Sequence, residues 1–449
     1  MISPIPYNNM VVFFDSFIYF SITGGCDELI EGQVHVFAIP KLLAEDMDPP
    51  RVLISTSSTG SVCTSLTIPG IGFEEHTQIT RLQNADISLP FAARITTAGL
   101  HNKTIIVRSS IDVNVYAFDN ERYNGDGFLV IPISKLGIEY RIPNYVPSHS
   151  SHPSFFTVTA LEQEASVFFA TMAGQEYNVT LNMFESYRFE GTYPEDLTGT
   201  YIKSNMPISV TSGVYTKVPK GISGSDGILV NVPPVESWGH RFVLAPILTK
   251  SCGYIYRVIS GNESTIVTTS ENSAEQVLPP RGMIQGNVGT SKMVAIHADH
   301  PVLVAKYLKG RVACDSRGDP AMIVVTPVES YQNNIVTFPV LATTYPGVKF
   351  FSINVITNCS DTGTLSFDGT ISINNWDKLS LEDGSMCCVR GEIAPGVHSV
   401  ESTDSSVRFT VSVYMISVSC SQGCSAPTAY AYQAGSGYPG EDFFFFISL

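Results

Sequence analysis

The chain has 449 residues, of which 44% are hydrophobic and 15% are charged. This length can bury a sizeable core and on its own predicts roughly three domains, and the composition excludes disorder as the main state. The net charge of −15 comes from 26 Lys and Arg against 41 Asp and Glu. Most of the surface would therefore repel a phosphate backbone, and we expect no nucleic-acid partner.

The two ends of the chain carry short apolar runs. The run Val11–Ile22 is interrupted by Asp15, and no basic residue precedes Lys41, which differs from a signal peptide. Neither this run nor Phe443–Ile447 is long enough to cross a bilayer. The sequence predicts no membrane span and shows no targeting signal, although an incomplete N-terminus would give the same pattern.

The composition indicates strands rather than helices. Few charges together with 35 Gly, 27 Pro, 20 Tyr and 25 Phe are typical of many short strands joined by tight turns. The segments Ile111–Val115 and Phe409–Val413 alternate apolar and polar residues, which is the period of a strand with one buried face. Polar turns such as Ser260–Ser264 separate further apolar runs and predict hairpins.

The chain also repeats itself. The string Pro234-Val-Glu-Ser237 recurs 93 residues later as Pro327-Val-Glu-Ser330, and the upstream string Pro207–Val210 recurs 94 residues later as Pro301–Val304. Ile111, Ile208, Val302 and Val407 are equivalent positions in four copies of the upstream strand. Pro207 and Pro301 are expected to open their strands, where a missing N–H costs the ladder least.

We therefore predict an all-β fold of about four tandem β-sandwich-like repeats of roughly 95–105 residues, packed against one another. One large irregular sheet is the alternative. The predicted divisions are an N-terminal strand segment and four repeats, at 1–50, 51–153, 154–251, 252–347 and 348–449. The connecting segments are apolar and Pro-rich, whereas flexible linkers would be polar, so we favour packed units over beads on a string.

The cysteines and glycosylation sequons favour an extracellular protein. The nine cysteines lie far apart without paired C-x-x-C knuckles, so disulfides are favoured over zinc. Four sequons lie in polar turns and are candidate glycosylation sites, at Asn102, Asn178, Asn262 and Asn358. The nine disulfide candidates are Cys26, Cys63, Cys252, Cys314, Cys359, Cys387, Cys388, Cys420 and Cys424. Together these features predict secretion, with one cysteine left unpaired.

The positions of the cysteines suggest a set of pairings, although many connectivities are possible. Cys252 and Cys314 flank the third repeat, and Cys420 with Cys424 could close a small loop. Cys26 with Cys63, and Cys359 with either Cys387 or Cys388, complete the set.

Motifs of catalysis are weak in this sequence. Asp361-Thr-Gly-Thr364 is spelled like an aspartic-protease loop, but it occurs once and its flanks fit a hairpin turn. No G-x-S-x-G elbow is present. Gly318-Asp-Pro320 resembles the self-cleaving Gly-Asp-Pro-His string of mucin-type von Willebrand D modules, but Ala321 replaces the histidine. We predict no autoproteolysis and no catalytic residue.

Metal and cofactor sites are not expected. His297 and His300 would lie on opposite faces of a strand, and His149 with His152 lack an evident third ligand. The acidic segment containing Asp119, Glu121 and Asp126 could hold calcium, but its spacing differs from a helix-loop-helix site and solvation explains it as well.

Several strings resemble one known family. These strings are Val232–Val243, Asp299–Val304, Gly318–Tyr331, Ser204–Val210 and the closing Ala429–Gly435. They are similar to the N-terminal domain of IgGFc-binding proteins, best over about 158–339. The resemblance implies a secreted, non-enzymatic module of mucus-associated, cell-surface or bacterial exported proteins. Its closing motif departs at two positions, no cysteine-dense D repeats follow, and no binding motif can be transferred.

Two functions stay open. The first is an extracellular binding or adhesion module whose partner is a protein or glycan, with the loops Phe118–Gly127, Lys217–Gly227 and Lys309–Asp319 clustered on one side as the interaction face. The second is a hydrolase or calcium-dependent enzyme whose site is assembled only in the fold. We favour the first, because no motif supports the second.

Overall fold

The computed structural model describes residues 32–42, 48–121, 124–221, 224–248, 252–289, 292–314, 317–342, 348–369, 371–382, 384–418 and 428–435. These residues form 34 strands and seven short 3-10 turns. The 3-10 turns are Pro69–Ile71, Phe91–Ala93, Ile133–Lys135, Val235–Ser237, Arg311–Ala313, Val328–Ser330 and Thr362–Thr364. In the described part of the chain, no helix has the length and apolar composition that a membrane span requires. The fold is all-β, as the sequence predicts.

Unit 1 comprises residues 34–130 and forms two sheets that face one core. Its strands are β1 (Val34–Phe37), β2 (Ile39–Pro40), β3 (Arg51–Ser55), β4 (Val62–Ile68), β5 (Phe73–Ile79), β6 (Asn84–Ser88), β7 (Arg94–Ile95), β8 (Gly99–His101), β9 (Ile105–Ser109), β10 (Asn114–Glu121) and β11 (Asn124–Val130). The sheet orders are β1-β9-β4-β5 and β11-β10-β3-β6. Strands β2 and β7 form a separate parallel pair, and β8 pairs with a strand of unit 2.

Unit 2 (137–231) and unit 3 (239–324) are each built on one long strand. Unit 2 contains β12 (Gly137–Arg141), β13 (Phe155–Ala160), β14 (Ala165–Ala170), β15 (Glu176–Leu181), β16 (Ser186–Glu190), β17 (Tyr201–Lys217) and β18 (Ser225–Asn231). Unit 3 contains β19 (Gly239–Leu244), β20 (Tyr254–Ser260), β21 (Thr265–Thr269), β22 (Asn272–Leu278), β23 (Met283–Val288), β24 (Val294–Leu308) and β25 (Met322–Val324).

Unit 4 (335–433) again has two separate sheets. Its strands are β26 (Ile335–Val340), β27 (Val348–Asn358), β28 (Leu365–Phe367), β29 (Ile371–Ser372), β30 (Asp377–Leu381), β31 (Gly384–Glu392), β32 (Gly396–Ser402), β33 (Phe409–Val418) and β34 (Ala429–Gln433). The sheet orders are β26-β32-β28-β29 and β30-β31-β27-β33-β34.

The same antiparallel pairings recur in all four units. In each unit, a central stretch of chain has two halves. The first half pairs with the unit's opening strand and with one hairpin strand. The second half pairs with the closing strand and with another hairpin strand. The opening strands are β1, β12, β19 and β26, and the closing strands are β11, β18, β25 and β34. In units 2 and 3 the central stretch is one unbroken strand, so their two sheets merge into one of eight and one of seven strands.

Pro207 and Pro301 lie inside these long strands and do not open them, contrary to the expectation. β17 pairs with β14 up to Ser204 and with β13 from Ile208, so Pro207 lies where the ladder changes partners. Pro301 lies at the same change in β24, between Ala298 and Val302. A missing N–H at this position removes no ladder hydrogen bond, which is why proline is tolerated in mid-strand.

The sheets also divide the chain earlier than the sequence suggested. The opening strands of units 2, 3 and 4 begin at Gly137, Gly239 and Ile335 rather than at 154, 252 and 348. Within the described part of the segment 1–50, β1 pairs with β9 of unit 1. The repeats in the sequence mark the central strands. The opening strand of each unit is recognised only by its pairing with a distant stretch of the chain, which the repeats do not reveal.

The duplicated Pro-Val-Glu-Ser string closes each middle unit. Its 3-10 turn, Val235–Ser237 or Val328–Ser330, follows the closing strand and packs against the opening strand. The Arg241 guanidinium Nε donates to Glu329 Oε1 at 3.0 Å, and Ser237 Oγ donates to the Pro234 carbonyl oxygen at 2.8 Å. The most conspicuous repeat in the sequence is therefore structural.

The four units close into a ring. One buried cluster joins Phe155 and Leu229 of unit 2 to the core of unit 1, and another joins Leu53 and Tyr116 of unit 1 to the core of unit 4. Similar clusters join unit 2 to unit 3 and unit 3 to unit 4. The closing strands meet at the centre, where β11 and β25 each contact both β18 and β34. Units 1 and 4 thus meet in space although they are the first and last in sequence.

Candidate interaction surface at the hairpin end of the ring

The central strands β10, β17, β24 and β33 all end on the same side of the ring, which we call the hairpin end. Loops from neighbouring units touch there: Gly310 N–H donates to the Val218 carbonyl oxygen at 2.6 Å, and Gly318 N–H donates to the Ser417 carbonyl oxygen at 2.8 Å. Gly125 N–H donates to Asp226 Oδ1 at 2.9 Å. The structure therefore brings together the three loops that the sequence predicted to cluster.

Asp126 lies beneath these loops and joins all four units. Its Oδ1 accepts N–H bonds from Gly127 of unit 1 (2.9 Å) and Ala431 of unit 4 (3.1 Å). Its Oδ2 accepts N–H bonds from Leu229 of unit 2 (3.1 Å) and Met322 of unit 3 (3.2 Å). Burial raises the pKa of Asp126, and these four donors oppose that shift. One buried carboxylate thus satisfies backbone donors from the whole ring.

Asp226 occupies the equivalent position in unit 2 and plays a similar part. It accepts N–H bonds from Gly125 (2.9 Å), Gly227 (2.8 Å) and Ala429 (3.2 Å), and a hydroxyl bond from Thr428 (3.0 Å). Burial raises the pKa of Asp226, and the nearby charge of Asp319 adds to this shift. Asp319 is the equivalent residue of unit 3 and is also buried. The carboxylates of Asp126 and Asp226 therefore hold backbone N–H groups of these loops.

The sequence alone did not identify this aspartate cluster. Each of the three residues precedes Gly or Pro, which is typical of an ordinary turn. The signal was nevertheless present, because Asp226 and Asp319 are 93 residues apart, the offset of the Pro-Val-Glu-Ser strings. Thr428 occupies the equivalent position in unit 4, since Ala431 follows it by three residues, as Leu229 follows Asp226.

The centre of the ring is closed. A cavity of about 30 Å³ lies between the closing strands and is lined by side chains of all four units, among them Phe128, Asn231, Met322 and Gln433. A volume of this size holds only one or two water molecules. The described residues also hold no group of three His, Cys, Asp or Glu able to bind a metal ion.

The candidate calcium residues have other partners. Asp119 is fully buried and accepts from Arg94 Nε at 2.5 Å and from the Leu42 N–H at 2.8 Å. Asp126 is the ring carboxylate described above, and the side chain of Glu121 lies outside the described set. A buried guanidinium next to Asp119 leaves no place for a cation there.

The remaining motif residues lie apart from one another. His149 and His152 lie at the hairpin end with ring centroids 5.9 Å apart, beside Tyr215. His300 pairs with Glu263 at 2.8 Å on β24. Asp361 lies in a turn at the other end of unit 4, where Ser360 Oγ donates to its carboxylate at 2.6 Å. The 3-10 turn Thr362–Thr364 that follows Asp361 connects β27 to β28 of the other sheet, so the hairpin turn that the sequence suggested is not formed.

Two disulfides lie within the described residues, Cys252–Cys314 and Cys359–Cys387, and both match pairings suggested by the sequence. Cys388 is free and buried. Cys63 is disulfide-bonded as well, whereas Cys26, Cys420 and Cys424 lie outside the described residues. The Cys252–Cys314 bond ties the loop after β24 to the segment just before β20 at the hairpin end.

The four sequon asparagines, Asn102, Asn178, Asn262 and Asn358, are all exposed. Asn262 differs from the others because its amide donates to Glu139 at 2.5 Å and accepts from Arg141 at 2.6 Å. A glycan on that nitrogen would displace the contact with Glu139. The other three side chains have no such partner among the described contacts.

The exposed loops at the hairpin end carry basic side chains, a feature that the sequence did not reveal. Lys220 and Arg317 are exposed, and Lys217 and Arg311 are partly exposed. None of the four forms an ion pair within the described residues, whereas many other arginines do, for example Arg51 with Asp86 and Arg257 with Asp196. We call these four residues the basic surface.

The sequence matches the family described as IgGFc binding protein over residues 126–415. The chain belongs to the IgGFc-binding protein family. The matched segment begins at Asp126 and includes units 2 and 3 and most of unit 4, so it spans most of the ring. The family is one of binding rather than catalytic modules, and its members are extracellular. A search of curated proteins finds no match.

Solved structures give only weak likenesses to this family member. One is described as a tetra-tandem repeat in the extending region of a large adhesion protein, at 11% identity and a TM-score of 0.10, covering 85% of this chain and 92% of that one. A second is a bacterial ice-binding adhesin, at 9% identity and a TM-score of 0.10, covering 64% and 92%. A third is α-2-macroglobulin from Escherichia coli, at 6% identity and a TM-score of 0.13, covering 91% and 42%. Scores this low carry no argument about the fold.

Proposed function

We propose that this chain is a non-catalytic extracellular binding module that engages a protein or glycan partner of the mucus layer or cell surface through the hairpin end. The observation that carries the proposal is the convergence of loops from three units, beside strand ends of the fourth, on one side of a closed ring. Binding residues commonly lie on loops that a rigid scaffold positions. Membership of the IgGFc-binding family supports a binding role.

The support beneath the loops fits this role. The carboxylates of Asp126 and Asp226 hold backbone N–H groups of all four units, and the Cys252–Cys314 bond fixes the loop of unit 3. Pre-ordered loops lose little conformational entropy on binding, which favours affinity. The disulfides and exposed sequons are consistent with a secreted protein. The recurrent pairings support the further proposal that the four units are copies of one sandwich-like module.

A single substitution can introduce a glycan that covers the hairpin end. Gly221 is exposed and has a φ of +84°, and a Cβ added there would meet no described atom within 4 Å. Gly221→Asn creates the sequon Asn-Ile-Ser, and asparagine tolerates this backbone conformation. A matched control is Gly174→Asn with Glu176→Thr, which places a sequon in the β14–β15 turn at the opposite end, where Gly174 is equally unobstructed (φ of +82°).

Both variants would be secreted from a glycosylating host and tested with the parent on an array of immunoglobulin Fc fragments and mucus glycans. The proposal predicts that the parent binds a component of the array, that Gly221→Asn abolishes this binding, and that enzymatic removal of the glycan restores it. The control variant keeps binding. Loss of binding in the control but not in Gly221→Asn, or no binding by the parent, would contradict the proposal.

A further inference from the structure

The hairpin end gathers four basic side chains, although the net charge of the whole chain is negative. The chain carries a net charge of −15, yet Lys217, Lys220, Arg311 and Arg317 lie on two adjoining loops. The bond from Gly310 N–H to the Val218 carbonyl oxygen, at 2.6 Å, sets Arg311 beside the Lys217–Lys220 segment. A basic area attracts anionic groups.

The loops are shaped to hold these cations close together. Gly224 has a φ of +94°, and a Cβ at that position would lie 2.8 Å from Cγ of Arg311. Arg317 forms a β-bridge with Val418. Backbone contacts therefore position two segments of the basic surface, through the Gly310–Val218 bond beside Arg311 and through the bridge of Arg317.

Exposed apolar side chains lie among the cations. Val312, next to Arg311, is 59% exposed, and Val348 is 60% exposed. Val348 pairs with Val418, which also bridges Arg317, so the three positions are neighbours across one ladder. A sulfated glycan would leave these valines in contact with water, whereas a peptide can cover them. Arginine beside apolar side chains is the composition of protein interfaces.

We infer that the basic surface, together with Val312 and Val348, binds an acidic segment of a partner protein in which carboxylates alternate with apolar residues. This inference rests on the proposed function and specifies its ligand. The guanidinium groups of Arg311 and Arg317 offer paired N–H donors that match carboxylate geometry, and the two lysines add charge. The valines supply the apolar contact.

The test uses the full chain and a fluorescent peptide in which glutamates alternate with leucines, followed by fluorescence anisotropy. One variant replaces Lys217, Lys220, Arg311 and Arg317 with Gln. A milder variant, Lys220→Gln with Arg317→Gln, changes only exposed side chains and guards against misfolding. Its matched control is Lys203→Gln with Lys378→Gln, two exposed lysines distant from the hairpin end. Circular dichroism verifies that each variant is folded.

The inference predicts that the fourfold variant weakens peptide binding by about tenfold or more, the double variant by about fivefold and the control by less than about twofold. High salt weakens binding by the parent more than by the fourfold variant. Val312→Ser reduces affinity for the peptide at every salt concentration. Equal losses in the double variant and its control would overturn the inference.

A binding assay with heparin distinguishes a sulfated glycan from an acidic peptide as the ligand. Binding of heparin with no binding of the peptide would overturn the inference in favour of a sulfated glycan. If the fourfold variant retains its array partner while Gly221→Asn loses it, the inference fails and the proposed function stands. If neither change affects the array partner, both fail.

Discussion

Asp126→Asn is the sharpest perturbation of the ring, because it preserves the shape of the side chain and removes one acceptor atom. Both carboxylate oxygens accept two N–H bonds each, from Gly127 and Ala431 and from Leu229 and Met322. An amide NH₂ group cannot accept, so two buried N–H donors lose their partner whichever way the amide is oriented.

The expected loss follows from the number of orphaned donors. Each buried donor left without an acceptor costs about 1–3 kcal/mol, so Asp126→Asn should lower the free energy of unfolding by about 2–6 kcal/mol. Removing the buried charge offsets part of this cost, because burial of Asp126 is itself unfavourable. We expect the loss to dominate, since the new NH₂ group also faces N–H groups rather than acceptors.

Urea denaturation followed by the fluorescence of Trp238 and Trp376 measures this loss as a shift of the midpoint. Asp112→Asn is the control, because Asp112 is exposed, and its substitution should change the free energy of unfolding by less than about 0.5 kcal/mol. A free energy of unfolding for Asp126→Asn within that margin of the parent value would refute the assignment of Asp126 as the residue that connects the four units.

Three further predictions concern other buried contacts. Burial lowers the pKa of Lys306 to about 7, so between about pH 7 and 10.5 the unfolded chain binds more protons than the folded chain. The free energy of unfolding should therefore rise with pH in that range, by at most about 1.4 kcal/mol per pH unit. The urea midpoints of Lys306→Met should lack this rise. Replacing Cys252 and Cys314 with serine opens a crosslink spanning 62 residues and should cost about 4 kcal/mol, and equal midpoints for variant and parent would contradict this. Arg257→Met breaks the 2.8 Å pair with Asp196 and should lower the melting temperature clearly more than Arg241→Met, whose guanidinium is half exposed.

Much of the fold could be predicted because strands leave a local signal. The alternation in Phe409–Val413 and the 93-residue offset of the Pro-Val-Glu-Ser strings are both visible without a structure, and both correspond to recurring elements. The opening strands begin before the predicted divisions for a physical reason. An opening strand such as β19 pairs with residues fifty or more positions away in β24, and no local pattern records that pairing.

The candidate surface was only partly predictable. The three loops could be assigned to one side because they follow equivalent strands, and the structure brings them together. The ring carboxylates could not be identified from chemistry, since Asp126 in an acidic loop has the sequence context of a solvated residue or a cation ligand. Its four donors come from residues up to 305 positions away. The basic surface was missed because its lysines and arginines are scattered along an acidic chain.

The amides that converge on Asp126 offer the most direct test of the closed ring. In hydrogen exchange measured by NMR or mass spectrometry, we predict that the N–H groups of Leu229, Met322 and Ala431 exchange slowly and with the same free energy of opening. In Asp126→Asn they should accelerate together. If these amides in the parent opened independently, or if those of one unit exchanged as fast as exposed amides, the four units would not form one ring.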